Sequence, residues 1–294
     1  MNYNLERLIG NTPLVESKVL QQNPNVKLLF KLEGDNPGGS VKDRAAFNMI
    51  KSAMDRGEID KTTKLIEATS GNTGIALAMI ASIYGLDLEI VMPENATKER
   101  VQTMRAYGAK VTLTSKEIGI EGARDHAESK VTEHGYYMFN QFANPDNWKA
   151  HYKTTGPEIW RDTEHKVTHF VSSMGTTGTI MGTSTFLKEK NQNIQIVGVQ
   201  PTDESSIPGI RKWPKEYLPK IFDADRVDRI IEVSEEESRE MAKNLAKKEG
   251  IFSGMSSGGA TVAALKLCSE LDQGVVVSII CDRGDRYLSS DLFD

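Results

Sequence analysis

The side chain best suited to covalent chemistry in this chain is Lys42, in the segment Asn36-Pro37-Gly38-Gly39-Ser40-Val41-Lys42-Asp43-Arg44. An apolar run precedes the segment and a helical pattern follows it, so Lys42 falls at a helix start. A cation there is electrostatically misplaced, because the helix dipole favours anions at that end. A lysine held by a positive helix end and partly desolvated has its pKa pushed down, which makes it a nucleophile or a base. Three further loops share one design: a strand, a run of Gly, Ser and Thr, then a helix. They are Thr69-Ser70-Gly71-Asn72-Thr73-Gly74, Gly175-Thr176-Thr177-Gly178-Thr179 and Gly254-Met255-Ser256-Ser257-Gly258-Gly259. Helix N-termini offer unpaired N–H groups and a partial positive charge, so they bind anions. Glycines let the backbone approach a ligand, and hydroxyls add donors. Any one of these loops reads equally well as a plain tight turn, but three in one α/β chain point to a convergent site.

None of the three matches the common nucleotide motifs, so an anion at 175–179 is expected to be held by amides and hydroxyls without a Walker lysine. Residues 254–258 do match the nucleophile elbow G-x-S-x-G. That fold orders its triad Ser, acid, His, whereas all five histidines here precede Ser256. A serine hydrolase therefore finds its base in the wrong place. Lysine nucleophiles form Schiff bases with pyridoxal phosphate, and that cofactor needs a phosphate cradle. Lysine and loops thus agree on one cofactor. The histidines show no H-E-x-x-H and no pairing with cysteine at metal spacing, so no metal is expected. Cys281 ends an apolar strand and reads as a buried, inert thiol.

The elements that must position these groups alternate along the chain. Strands are expected at 27–32, 64–67, 86–92, 110–113, 170–172, 194–199 and 275–281, and helices at 43–56, 73–84, 98–107, 119–134 and 235–249. Short apolar runs separated by helices make an α/β fold with a mostly parallel sheet. Gly57, Gly85 and Gly108 stand where helices should end. Asn144-Pro145-Asp146-Asn147 is turn chemistry and the best boundary candidate. Residues 203–219 carry three prolines and form an irregular segment long enough to be functional.

Composition narrows the classes. With 36 Lys and Arg against 41 Asp and Glu the net charge is −5, which excludes a nucleic-acid footprint. The longest apolar stretches fall far short of the roughly 20 residues of a membrane span, and the first residues lack a signal-peptide pattern. Two cysteines give neither a disulfide framework nor a four-ligand zinc site. A length of 294 residues suggests two domains of roughly 150 residues each. A soluble cytoplasmic protein of small-molecule chemistry is expected, with no nucleic-acid and no membrane partner.

Together, segments 36–44, 69–74, 175–179 and 254–259 resemble the motif set of the fold type II pyridoxal-phosphate enzymes, and among these the cysteine synthases (O-acetylserine sulfhydrylases). The resemblance runs from Ile9-Gly10-Asn11-Thr12-Pro13-Leu14 to Gly284-Asp285-Arg286-Tyr287-Leu288-Ser289, nearly the whole chain. Residues 172–179, 206–214 and Ile280-Cys281-Asp282-Arg283-Gly284 are similar to the B isozymes of that family in particular, the A isozymes usually having Gly where Thr177 stands. The resemblance implies a β-replacement on O-acetyl-L-serine, in which acetate leaves and sulfide, or thiosulfate giving S-sulfocysteine, takes its place. It implies that Lys42 carries the Schiff base and that Asn72 bonds the cofactor's 3′-oxygen. Gly175, Thr176, Thr177, Gly178 and Thr179 would hold the phosphate, and Ser256 the pyridine nitrogen. The substrate carboxylate would sit on Thr69, Ser70, Gly71 and Thr73, with Gln141 completing that pocket. A neutral serine at the ring nitrogen moderates the electron sink, which suits elimination.

The fold implied is two three-layer α/β domains, tryptophan synthase β-like. A smaller, mobile domain would span 34–147 and a larger one 1–33 plus 148–294, with the cofactor in the cleft between them, in a homodimer. The run Gly209-Ile210-Arg211-Lys212-Trp213 reads either as a solvated basic turn or as an anion-accepting gate in which Arg211 favours thiosulfate. Serine or threonine dehydratase, cystathionine β-synthase and a catalytically silent binding homologue remain alternatives at this stage.

Overall fold

The computed structural model describes residues 4–294. Leu14–Glu16 (β1) runs antiparallel to Val26–Leu32 (β2), which leads into the loop before Lys42–Asp55 (α1). Strand and helix then alternate: Lys64–Ala68 (β3), Asn72–Tyr84 (α2), Asp87–Pro93 (β4), Lys98–Ala106 (α3), Lys110–Thr114 (β5), Gly119–His134 (α4) and Tyr137–Met138 (β6). Next come Pro145–Lys153 (α5), Thr155–Asp162 (α6), His169–Ser173 (β7), Gly178–Lys190 (α7) and Gln195–Pro201 (β8). The chain finishes with Arg229–Val233 (β9), Glu235–Asn244 (α8), Met255–Glu270 (α9) and Gly274–Ile280 (β10), followed by short 3₁₀ turns.

The strands form two sheets. One has the order β5-β4-β3-β6 and is parallel throughout; the other, β1-β2-β10-β7-β8-β9, is parallel except for β1. Parallel strands covered by helices on both faces read as continuous apolar runs, as Ile90 to Met92 and Val275 to Val277 do. Successive residues of β10 feed opposite cores: Val276 packs with Leu28 and Val199, and Val277 with Phe170 and Ile196. A separate core joins α1 and α2 to the four-stranded sheet through Met49, Ile75, Leu77 and Ile90. Gly57, Gly85 and Gly108 all adopt the positive φ expected of helix-ending glycines.

Three expectations change. Asn144-Pro145-Asp146-Asn147 is a helix start: the Asn144 side chain accepts the Asp146 N–H at 2.9 Å, and Pro145 fills the first turn of α5. Helix caps and turns use the same Asn and Pro chemistry, so the tetrapeptide alone does not separate them. The boundary at 147 therefore falls within α5. Residues 235–249 are not one α-helix, because α8 gives way to a π-helical turn at Leu245–Glu249. There the Glu249 carboxylate accepts the Ser17 hydroxyl at 2.6 Å and the N–H groups of Lys18, Val19 and Leu20 at 2.8–3.0 Å. That tether reaches across some 230 residues of chain, beyond any local periodicity. Strands β1, β6 and β9 were not expected; two are only three and two residues long, and β9 exposes three of its five residues.

Candidate active site

The loops that leave the carboxyl ends of β2, β3, β7 and β10 meet around one cleft of about 960 Å³. Ligand sites in parallel α/β sheets lie at such strand ends because the following helices point their N-termini there. Lys42, Thr69, Ser70, Gly71, Asn72, Thr73, Gln141, Gly175, Thr176, Thr177, Thr179, Arg211 and Ser256 all line it. Of the side chains and loop residues expected from sequence, Gly178 alone stays behind the wall. A Cβ at Gly178 would overlap the Asn147 side chain, so only glycine lets α7 begin this close to α5.

Lys42 is the first residue of α1 and half-buried. Its loop is pinned from outside: the Val41 N–H donates to the Cys281 carbonyl at 2.8 Å, and Ser40 bridges to Asp282. Below it, Arg44 is 2% exposed and donates to Glu33 at 2.7 and 2.8 Å and to Glu158 at 2.7 Å through two nitrogens. Lys31 adds a second cation to Glu158 at 2.8 Å. Burial opposes ionisation of Glu158, but Arg44 and Lys31 outweigh it and hold its pKa down at about 2. Asp43 is buried beside Lys42 and accepts the Gly38 N–H at 2.5 Å; burial pushes its pKa up to about 7.

The loop at 175–179 has the properties of a phosphate cradle. Thr177 is 4% exposed, its hydroxyl is buried without a protein partner, and its φ is +70°. A β-branched residue in left-handed backbone is strained, and such strain gathers at ligand sites. The strain tips the first N–H groups of α7 toward the cleft. An orphaned hydroxyl beside a helix N-terminus fits the phosphate of pyridoxal phosphate. His151 stands behind it, 3.3 Å from the Thr179 hydroxyl, and burial depresses its pKa to about 3, so it is neutral there. Ser256, 4% exposed, sits on the first turn of α9 facing the same cleft. Gly209 packs against it, with positive φ and room for a Cβ only 3.3 Å from that of Ser256.

Asn72 is held by residues that sequence reasoning did not single out. Its Nδ2 donates to Asp282 at 2.7 Å, and its Oδ1 accepts from Arg286 at 2.6 Å. The Tyr287 hydroxyl donates to the same Asp282 oxygen at 2.7 Å, and Arg286 also donates to the Gly38 carbonyl at 2.9 Å. One cluster after β10 thus ties the Lys42 loop, the start of α2 and, through the Gly254 N–H at 3.3 Å, the start of α9. An amide has two N–H donors, so with one given to Asp282 the other remains for a ligand oxygen. The signal available in sequence was the charged run Cys281-Asp282-Arg283 at the end of an apolar strand. Cys281 itself lines the cleft, where burial pushes its thiol up to about 11.

Gln141 is 5% exposed and accepts the Thr73 hydroxyl at 2.7 Å, which joins the β6–α5 connection to α2. Residues 203–214 form the opposite rim. Arg211 is exposed there while its N–H donates to the Met174 carbonyl at 2.8 Å, and Trp213 donates to the Gly175 carbonyl at 2.8 Å. Phe142 meets Trp213 edge to face across the rim, with ring centroids 5.5 Å apart.

Comparison with known proteins agrees with this geometry. Residues 5–282 match the model of the family described as pyridoxal-phosphate dependent enzyme. The chain is 57% identical to cysteine synthase B of Pseudomonas aeruginosa over 286 residues, covering 97% of this chain and 96% of that one. It is 54% identical to cysteine synthase B of Escherichia coli over 289 residues, covering 98% and 95% of the two. The crystal structure of a cysteine synthase from Entamoeba histolytica superposes with a TM-score of 0.94 at 37% identity, covering all of this chain and 91% of that one. With a lysine at a helix start, an orphaned hydroxyl at a second and these likenesses over nearly its full length, the chain belongs to the pyridoxal-phosphate dependent enzymes, in their cysteine synthase branch.

Proposed function

We propose that this chain makes L-cysteine by replacing the acetoxy group of O-acetyl-L-serine with sulfide, and that it also accepts thiosulfate. The convergence of Lys42 and three helix N-termini on one cleft carries the reading. Two anions need two separate helix ends, and here the cofactor phosphate goes to α7 and the substrate carboxylate to α2. Thr69, Ser70, Gly71 and Thr73 offer the hydroxyls and N–H groups for the carboxylate, with the Gln141 amide beside Thr73. Pyridoxal phosphate, when bound, draws electrons from the amino acid's α-carbon. Lys42, as the amine nearest the reacting atoms, takes the α-proton, and acetate departs from the β-carbon before sulfur adds. Asn72 and Ser256 orient the ring, and the neutral hydroxyl of Ser256 leaves its nitrogen without a counter-charge. Arg211 gives a second, exposed cation for a dianionic sulfur donor.

The four-stranded sheet draws all its strands from residues 64–138, which supports a smaller unit near 34–147 that closes over substrate, the remaining chain forming the larger one. A homodimer and a cytoplasmic location belong to the same reading; no helix among the described residues is long and apolar enough to cross a membrane. The deciding experiment adds pyridoxal phosphate to the purified chain, then O-acetylserine and sulfide. A yellow protein that releases cysteine and acetate in equal amounts is expected. A colourless protein that forms no cysteine sinks the reading.

A further inference from the structure

Glu67 is a carboxylate that none of the chemistry above uses. It lies on β3 two residues before Thr69, 3% exposed, and its oxygen accepts the Asn140 N–H at 3.1 Å. The N–H groups of Phe139 and Gln141 also turn toward it. Asn140 has φ of +52°, a left-handed conformation that aims consecutive amides into one concavity. The Gln141 carbonyl takes the Asn147 amide at 2.7 Å, and its side chain takes the Thr73 hydroxyl at 2.7 Å. Gln141 is therefore gripped at three points, and Glu67 supplies the one at its backbone nitrogen side. A cavity of about 10 Å³, the space of roughly one water molecule, separates Glu67 from Arg124 and Phe142 just behind the main cleft.

We propose that Glu67 is a positioning residue for amino-acid binding: its buried carboxylate holds the 139–141 turn so that Gln141 meets the substrate carboxylate beside Thr73. This rests on the reading of the cleft given above. A structural carboxylate in an apolar core is ordinarily neutral or paired with a cation, since a buried charge is costly. Here the compensation is a ring of backbone amides, and only the ionised form accepts from all of them. The surroundings decide how firmly it stays ionised. β3 turns Glu67 to the same face as Leu65, where α1 and α2 contribute apolar side chains such as Met49 and Met79. On the neighbouring strands β4 sets Ile90 beside it and β6 brings Met138 to the small cavity. Arg124, from α4, is the charged side chain that faces it. Burial outweighs the amides and Arg124, and raises the pKa to about 7. The turn is therefore gripped fully above neutrality and loosens as the carboxyl takes up a proton.

The test compares wild-type holoenzyme with Glu67→Gln across the neutral pH range. In the wild type the KM for O-acetylserine should carry an inflection near pH 7, rising on the acid side; in Glu67→Gln the inflection should vanish. The KM of the variant above neutrality should be raised roughly five- to tenfold, the range of a lost charge-assisted hydrogen bond, with kcat and the KM for sulfide within about twofold. Binding of L-serine, followed through the absorption of the bound cofactor, should weaken by the same factor without any turnover. Because Glu67→Gln could fail to fold, Arg124→Leu gives a second reading: removing the facing cation should move the wild-type inflection to higher pH. An unchanged KM profile in Glu67→Gln, an equal fall of kcat and kcat/KM, or an inflection that ignores Arg124→Leu would overturn the proposal while leaving the enzyme reading intact. A wild-type chain that takes up no pyridoxal phosphate would overturn both.

Discussion

Lys42 has two tasks, anchoring the cofactor and moving the α-proton, and no neighbouring amine can take over either. Lys42→Ala should therefore lower kcat by several orders of magnitude and abolish the visible absorption that the loaded protein shows. More than a few per cent residual activity would refute the assignment. Arg211 stands apart from that centre, on the exposed rim, with its backbone rather than its guanidinium tied down. Thiosulfate carries two negative charges and sulfide one, so the dianion should gain more from a nearby guanidinium. Arg211→Ala is expected to lower kcat/KM with thiosulfate about ten- to a hundredfold and with sulfide several times less. Equal losses for the two donors would mean that Arg211 serves only closure or the amino acid. Both residues were legible in sequence, because a cation at a helix start and a cation beside tryptophan are local anomalies. Asp282, Arg286 and Glu67 were not, because each acts on a partner 70 to more than 200 residues away.

Helix α1 delivers Lys42, and what holds α1 in place is a buried group of charges rather than an apolar stripe alone. Arg44 reaches Glu33 on one side and Glu158 of α6 on the other, with Lys31 closing the group. Such a cluster adds little net stability, because desolvation offsets most of the attraction, yet breaking it leaves charges stranded. Arg44→Met should destabilise the fold by about 3–5 kcal/mol, read from the denaturant midpoint at constant slope. It should also lower cofactor affinity, since the start of α1 then loses its register. Replacing Glu33 and Glu158 by Gln in the same background should restore part of the lost stability, and a further loss on doing so would contradict the stranded-charge account. Helices α2, α7 and α9 follow a simpler rule, each starting at a small-residue loop where their N–H groups are free.

Across the whole molecule, proton linkage separates two kinds of carboxyl. Asp43 has its pKa raised by burial to about 7, so it stabilises the fold below its unfolded value near 3.8 and loses that contribution as pH rises through 7. His151, depressed by burial to about 3, tilts stability the opposite way over the acid range, so the wild-type curve alone is ambiguous. The difference between Asp43→Asn and wild type isolates the term. It should grow in favour of the variant from about pH 4 to 7 and then level off, as thermal unfolding at fixed ionic strength will show. A flat difference would mean that Asp43 is ionised at little cost in the folded state. As for what was readable at the outset, the sequence by itself determined the alternation of strand and helix, the three anion-binding helix starts and the lysine. These depend on side-chain periodicity and on residues adjacent in the chain. The tertiary structure alone decided that the loops face one cleft, that the Asn144-Pro145 tetrapeptide opens a helix, and that the cluster after β10 clamps Asn72. Those outcomes depend on which strand ends come to lie side by side, and parallel strand order joins residues far apart in sequence through contacts that no local pattern encodes.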